Sequence, residues 1–144
     1  MQDYNYIFSG ADYPGIPKIT FHLITSEQFT IKGVKFIPIQ VYHMNLPVLG
    51  FRIGNFTYIT DANKIPEKEK DKIRGSEVIV LNALRKEKHI SHFNFEEAVE
   101  LLKDLSPKRA YLTHISHQLG LHEKINKELP SFIRCAYDGL KIEV

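Results

Sequence analysis

Between residues 19 and 60 the chain repeats short runs of β-branched and aromatic residues, broken by turn-forming glycines. The pattern predicts strands over 19–24, 28–31, 34–42, 48–54 and 56–60, with Gly33 and the pair Gly54-Asn55 supplying turns. Residues 1–18 carry Gly10, Pro14, Gly15 and Pro17 and predict an irregular entry, with Tyr13-Pro14-Gly15 as a turn. Beyond Thr60 the periodicity changes. A short helix is predicted with Pro66 at its first position and Gly75 past its end. Residues 77–82 (Glu-Val-Ile-Val-Leu-Asn) are nearly all apolar, as expected of a strand covered on both faces. A loop over 83–93 follows.

Residues 94–105 carry the clearest helical signal. Asn94 suits the N-cap, Glu97 completes a capping box, and Phe93 is placed to staple onto Ala98. Phe95, Ala98, Leu101, Leu102 and Leu105 fall on one face, and Ser106-Pro107 ends the helix. A strand over 109–113, a helix around 120–128 and two strands flanking Asp138-Gly139 complete the prediction. A β-meander followed by βαβ units implies an α/β fold, a mixed sheet with helices on its outer face. At 144 residues the chain reads as a single domain over 1–144.

Composition narrows the classes. A formal net charge of +2 and 25% charged residues are too mild and too mixed for a nucleic-acid binder. The charged string from Lys64 to Arg74 includes Glu67, Glu69 and Asp71 and reads as a solvated helix face. No apolar run approaches membrane-spanning length. The single cysteine, Cys135, lies in an apolar stretch and excludes an intrachain disulfide. It reads as a buried, inert thiol rather than a nucleophile. With no signal-peptide pattern at the start, these features point to the cytoplasm.

The candidate chemistry lies at strand ends. Asp61 and His114 each follow an apolar run, and His43 closes a third. Strands stop at the sheet edge, so three ligand-type residues can converge there on a metal; imidazole and carboxylate suit zinc, manganese or iron. The bland alternatives are specific. An aspartate after a strand commonly caps a turn. His117 reads as a local hydrogen-bonding residue, and His89 and His122, set among charges, read as solvated.

Residues 58–62 (Tyr-Ile-Thr-Asp-Ala), 92–98 (His-Phe-Asn-Phe-Glu-Glu-Ala), 112–117 (Leu-Thr-His-Ile-Ser-His) and 137–140 (Tyr-Asp-Gly-Leu) resemble the metallo-β-lactamase superfamily, in particular the phosphodiesterase branch that works beside bacterial carbon–phosphorus lyase. The resemblance covers roughly residues 13–144 and implies the C-terminal half of the family's αββα sandwich. The family's His-x-His-x-Asp-His run, which supplies four metal ligands, has no counterpart in this sequence. By resemblance, His43 is a ligand of one metal, Asp61 the carboxylate bridging two, and His114 the last histidine ligand on the second. His92 resembles the residue that contacts the substrate phosphate and donates a proton to the leaving oxygen. Asp61 and His92 are thus the candidate catalytic residues.

The implied activity is metal-dependent hydrolysis of a small phosphodiester. The complete protein would use two divalent cations, zinc or manganese, and this chain, with an incomplete ligand set, would be inactive alone. The alternative class is a non-catalytic, partner-binding or degenerate domain. Without a covering half, Phe36, Ile37, Val41, Val48, Phe51, Ile53, Phe56 and Ile59 would form an exposed apolar surface, which predicts a homodimer.

Overall fold

A computed structural model describes residues 20–144. Its sheet has seven strands in chain order: β1 (Phe29–Ile31), β2 (Val34–His43), β3 (Leu46–Ile53), β4 (Phe56–Ile59), β5 (Val78–Asn82), β6 (Arg109–Thr113) and β7 (Ile133–Cys135). The first four form an antiparallel meander, and β4 through β7 are mutually parallel. Each parallel step is bridged by a helix: α1 (Glu67–Ile73), α2 (Phe95–Leu105) and α3 (His122–Glu128). Three right-handed crossovers stepping the same way along a sheet place all three helices on one face. The core agrees. Ile73 of α1, Ala98, Val99, Leu102 and Leu105 of α2, and Ile125 of α3 join one buried cluster with Ile39, Val41, Ile59, Ile79, Leu81, Ala110, Leu112, Ile133 and Cys135 of the strands.

Local signals are realised where they are self-contained. Asn94 accepts from the Glu97 N–H at 2.8 Å while Glu97 accepts from the Asn94 N–H at 3.1 Å, a complete capping box. Pro66 lies one place earlier than predicted, at the N-cap of α1 with an extended ψ of 145°, and Gly75 takes a left-handed φ of 79° just beyond the helix end.

Three expectations are corrected. Residues 20–24 form no strand; residue 19, like the predicted entry over 1–18 and its Tyr13-Pro14-Gly15 turn, lies outside the described residues. The turn at Asp138-Gly139 forms, with Leu140 donating to the Tyr137 carbonyl at 3.1 Å, but no hairpin follows. β7 ends at Cys135, paired only with β6, and no strand follows the turn to pair with it. The terminal segment is held instead by Arg109, whose guanidinium donates to the Glu143 carbonyl at 2.7 Å. The apolar residues of β2–β4 do not share one surface. Val41 pairs with Val48 and Ile37 with Arg52, so these residues and Ile59 belong to the helix-covered side. Phe36, Phe51, Ile53 and Phe56 alternate onto the other side, where the rings of Phe29, Phe36 and Phe51 cluster with centroids 5.3 to 6.2 Å apart.

The outer edge of β2 is blunted. Lys72 of α1 donates to the Pro38 carbonyl at 3.0 Å, Glu69 accepts from the Gln40 N–H at 2.9 Å, and the Tyr42 N–H reaches the Lys64 carbonyl at 2.9 Å. Glu69 is buried and paired with Lys72 at 2.8 Å. Burial alone would raise its pKa; the Lys72 ammonium and the Gln40 N–H outweigh that and hold the carboxyl below its ordinary value. An edge whose backbone groups are occupied by side chains cannot recruit another strand.

Candidate metal centre

β2, β4, β5 and β6 all run in one direction, because β2 is two antiparallel steps from β4. Their C-terminal ends therefore open on one edge of the sheet, the crevice where α/β folds bind ligands. His43 ends β2, Asp61 lies two residues past β4, Asn82 ends β5, and His114 follows β6. Met44, Asp61 and His114 have left-handed φ values of 55°, 62° and 55°. Such a conformation costs a non-glycine residue about 1 kcal/mol or more, and three of the five instances among the described residues lie at this edge.

One carboxylate oxygen organises the site. Asp61 Oδ1 lies 3.6 Å from His43 Nε2, 3.7 Å from His114 Nε2 and 2.6 Å from His92 Nε2. Among the described residues, His43, Asp61 and His92 form the set whose ligand atoms all lie within 4.8 Å of one another. Distance assigns them different parts. Two donors about 2.0–2.2 Å from a tetrahedral cation stand about 3.3–3.6 Å apart. The separations to His43 and His114 are close to that spacing. The contact with His92 is a hydrogen bond, with the Nε2–H donating to the carboxylate. Imidazole and carboxylate donors suit a borderline divalent cation, and Asp61 stands near ligand spacing from His43 and, separately, from His114.

The surrounding polar groups fix these side chains. Asn82, fully buried, accepts from the Ala62 N–H and donates to the Ala62 carbonyl, both at 2.9 Å, clamping the turn that carries Asp61. Asn63 accepts from the Met44 N–H at 3.0 Å and donates to the Ile90 carbonyl at 2.9 Å, tying the His43 turn to the loop bearing His92. Phe93 N–H donates to the Ala62 carbonyl at 2.9 Å. His92 is buried, and burial lowers its pKa despite the opposing pull of Asp61. The His92 ring stacks on that of His114 with centroids 4.7 Å apart.

One histidine reading changes. His89 is not simply solvated: its Nδ1 lies 3.0 Å from His92 Nδ1. His122 is exposed, as read, and its ring also packs edge-on to Tyr137 and reaches the Cys135 carbonyl at 3.3 Å. His117 opens a short 3₁₀ turn and is exposed. Cys135 is buried, which raises its thiol pKa and removes it as a nucleophile. Sequence reasoning missed Asn82, Asn63, His89 and Ser91. Only Asn82 carried a signal, as the one polar residue closing an otherwise apolar strand.

The described residues thus form a mixed seven-stranded α/β sheet with a His/Asp cluster at the C-terminal edge of its parallel strands. Residues 2–115 match the family described as the beta-lactamase superfamily domain, and the chain belongs to that family. It is similar to a diphosphatase of the PhnP family, with 34% identity and a TM-score of 0.88 over 99% of this chain and 53% of that one. The metallo-beta-lactamase fold protein YhfI of Bacillus subtilis shares the fold at 17% identity and a TM-score of 0.71, over 96% of this chain and 60% of YhfI. An octanoyltransferase of Porphyromonas gingivalis (strain ATCC BAA-308 / W83) is 29% identical over 139 residues, which are 95% of this chain and 28% of that protein. The chain thus spans about half the length of the diphosphatase and about a quarter of the octanoyltransferase. Proteins of this superfamily typically bind divalent metals and include hydrolases. No helix among the described residues is long and apolar enough to cross a membrane.

Proposed function

We propose that this chain carries part of the active site of a metal-dependent phosphodiester hydrolase that works in the cytoplasm on a small phosphate ester. The observation that carries the reading is the shared oxygen of Asp61, set between His43 and His114 at cation-ligand spacing. The similarity to a PhnP-family diphosphatase supports a phosphate substrate. His43, Asp61 and His114 would hold zinc or manganese, and Asp61 would be shared between two cations. Held by these residues, such ions would supply a water of lowered pKa and positive charge beside the phosphoryl oxygens.

The remaining chemistry belongs to the protein's own groups. His92 Nε2–H is the donor nearest the ligand oxygen, so an anionic phosphoryl oxygen entering the crevice takes up that hydrogen bond. A bound anion also raises the pKa of an imidazole beside it, which prepares His92 to protonate the leaving oxygen. With only three ligands for two cations, the chain by itself binds fewer than two metals tightly and turns over little substrate.

The test is metal titration of the chain followed by assay with bis(p-nitrophenyl) phosphate. Asp61→Ala should weaken zinc binding at least tenfold, whereas His92→Ala should lower turnover while leaving the metal content at saturating zinc unchanged. Equal loss in both variants would contradict the division of roles. Two tight zinc ions per chain with robust turnover would refute the incomplete-site reading. A chain that binds no zinc, with Asp61→Ala indistinguishable from it, favours the alternative of a non-catalytic domain.

A further inference from the structure

A hollow adjoins the metal centre along the sheet edge. Leu112 and Cys135 form the last rung between β6 and β7, and the Ala136 N–H still reaches the Leu112 carbonyl at 2.8 Å. Beyond that bond, the chain leaving β6 turns at His114 through a left-handed φ of 55°, and the chain leaving β7 enters the turn at Asp138-Gly139. The space between them has a volume of about 280 Å³ and is lined by Thr113, His114, Ile115, Ala136, Tyr137 and Asp138. His114 therefore borders the hollow while its Nε2 lies 3.7 Å from the Asp61 oxygen.

Two side chains give the hollow its chemistry. Tyr137 is 60% exposed, yet its ring is braced edge-on against His122, which reaches the Cys135 carbonyl at 3.3 Å. A ring held in this way offers a preset surface for stacking, with a polar tip. Asp138 is exposed and has no ion pair or side-chain hydrogen bond with any described residue, so its carboxylate is a free acceptor. No lysine or arginine is among the residues lining the hollow. A second phosphate would meet the like charge of Asp138 there with no cation to offset it. A neutral ring bearing O–H or N–H donors would stack on Tyr137 and donate to Asp138. The volume suits one such ring, being below the range for a whole drug-sized ligand.

We propose that this hollow is a specificity subsite for the organic group esterified to the phosphate, a neutral base- or sugar-type ring carrying hydrogen-bond donors. The role deepens the hydrolase reading and rests on it, since a phosphate beside Asp61 is separated from the hollow by the His114 side chain alone.

The test is NMR titration of the ¹⁵N-labelled chain with compounds that carry no phosphate, and it needs neither metal nor turnover. Uridine should shift the amides of Ile115, Ala136, Tyr137 and Asp138 saturably, with a Kd in the millimolar range. The same shifts from methyl β-D-ribofuranoside alone assign the sugar, and from uracil alone the base. Tyr137→Ala and Asp138→Ala, both at exposed positions, should each weaken uridine about fivefold or more. Asp138→Asn, which keeps an acceptor, should lose less. Pyrophosphate should leave these amides where they are. Three results would overturn the proposal: none of the three ring compounds moving these amides at about 50 mM, either alanine variant binding uridine within about twofold of wild type, or pyrophosphate moving the Tyr137 and Asp138 amides as far as uridine does. Uridine binding here in a chain that holds no zinc would sink the hydrolase reading and leave the hollow a ring-binding site.

Discussion

Removing the side chain of Asn82 should loosen the fold and the metal centre together. Asn82 is fully buried and makes two hydrogen bonds, both to the backbone of Ala62. Asn82→Ala breaks both with unequal consequences. The Ala62 carbonyl keeps the Phe93 N–H at 2.9 Å, whereas the Ala62 N–H loses its partner in a residue with no exposed surface. An orphaned buried donor costs about 1–3 kcal/mol and a lost neutral hydrogen bond about 1 kcal/mol. The void adds about 1 kcal/mol, for a total near 3–5 kcal/mol. Urea unfolding followed by circular dichroism should show this as a lower midpoint with little change in slope. The same change frees the turn that holds Asp61 at a φ of 62°, so zinc affinity should fall by about tenfold or more, as for other groups supporting a ligand. Asn82→Asp supplies a contrast. It keeps an acceptor for the Ala62 N–H but buries a charge against the Ala62 carbonyl. Burial raises the pKa of such a carboxyl, so this variant should regain stability as the pH falls and the group becomes a donor. A loss under about 1 kcal/mol in Asn82→Ala with zinc affinity within twofold of wild type would refute the clamp, because a single orphaned donor already costs that much.

Further outcomes are expected elsewhere in the molecule. A Cβ at Gly50 would stand 2.7 Å from Ile59 Cγ1 and 3.0 Å from the Tyr58 carbonyl oxygen, so Gly50→Ala should cost about 1–3 kcal/mol. An unchanged thermal midpoint would show that β3 and β4 part freely. Glu69 has a folded pKa depressed below its ordinary value of 4.5, so its stabilisation is present above that value and lost as the pH falls through the folded pKa. Glu69→Gln should therefore lose about 2 kcal/mol near neutral pH, with the gap to wild type closing as the pH falls through the depressed folded pKa; a pH-independent gap would contradict this. The aromatic side of the sheet, with Phe29, Phe36 and Phe51, is expected to pair with a second copy as a two-fold dimer. Sedimentation equilibrium giving a clean 16.7 kDa monomer at micromolar concentration would overturn that expectation.

Features decided within a few residues were legible in the sequence. The Asn94–Glu97 capping box needs only three intervening peptide units, and it formed as read. The run 77–82 predicted a strand buried on both faces, and Val78–Asn82 form one with all five residues buried. Signals whose outcome depends on distant partners were not legible. Asp138-Gly139 specifies a turn but cannot supply the arms of a hairpin, and β7 is only three residues long. Alternation in β2–β4 divides residues between two faces without saying which face the helices cover, so Val41 and Ile59 were grouped with Phe36 and Phe51. His89 and His92 lie three residues apart on a loop, where sequence spacing carries no contact information. Their pairing follows only once Ala62, Ile90 and Phe93 are tied together.

The placement of the site is a consequence of backbone register. His43 is the last residue of β2, paired across the ladder with Leu46, and its ring faces Asp61 only in that register. Because side chains alternate along a strand, a slip of one residue would turn His43 to the opposite face. The contacts that prevent the slip are those that stabilise the meander. Gly50 leaves a notch filled by Ile59, and the Tyr42–Lys64 bridge pins the strand end from the other side. Asn63 adds a bond to the Met44 N–H just beyond it. On the parallel half, Asn82 does the same for Asp61, and the Ala83 N–H reaches the Thr113 carbonyl at 3.0 Å immediately before His114. Each ligand is thus held through a backbone hydrogen bond within one residue of itself, while its side chain remains free of core packing. Were a cation held there as proposed, the imidazoles and carboxylate would close on it by side-chain rotation alone, because the backbone beside each is already tied.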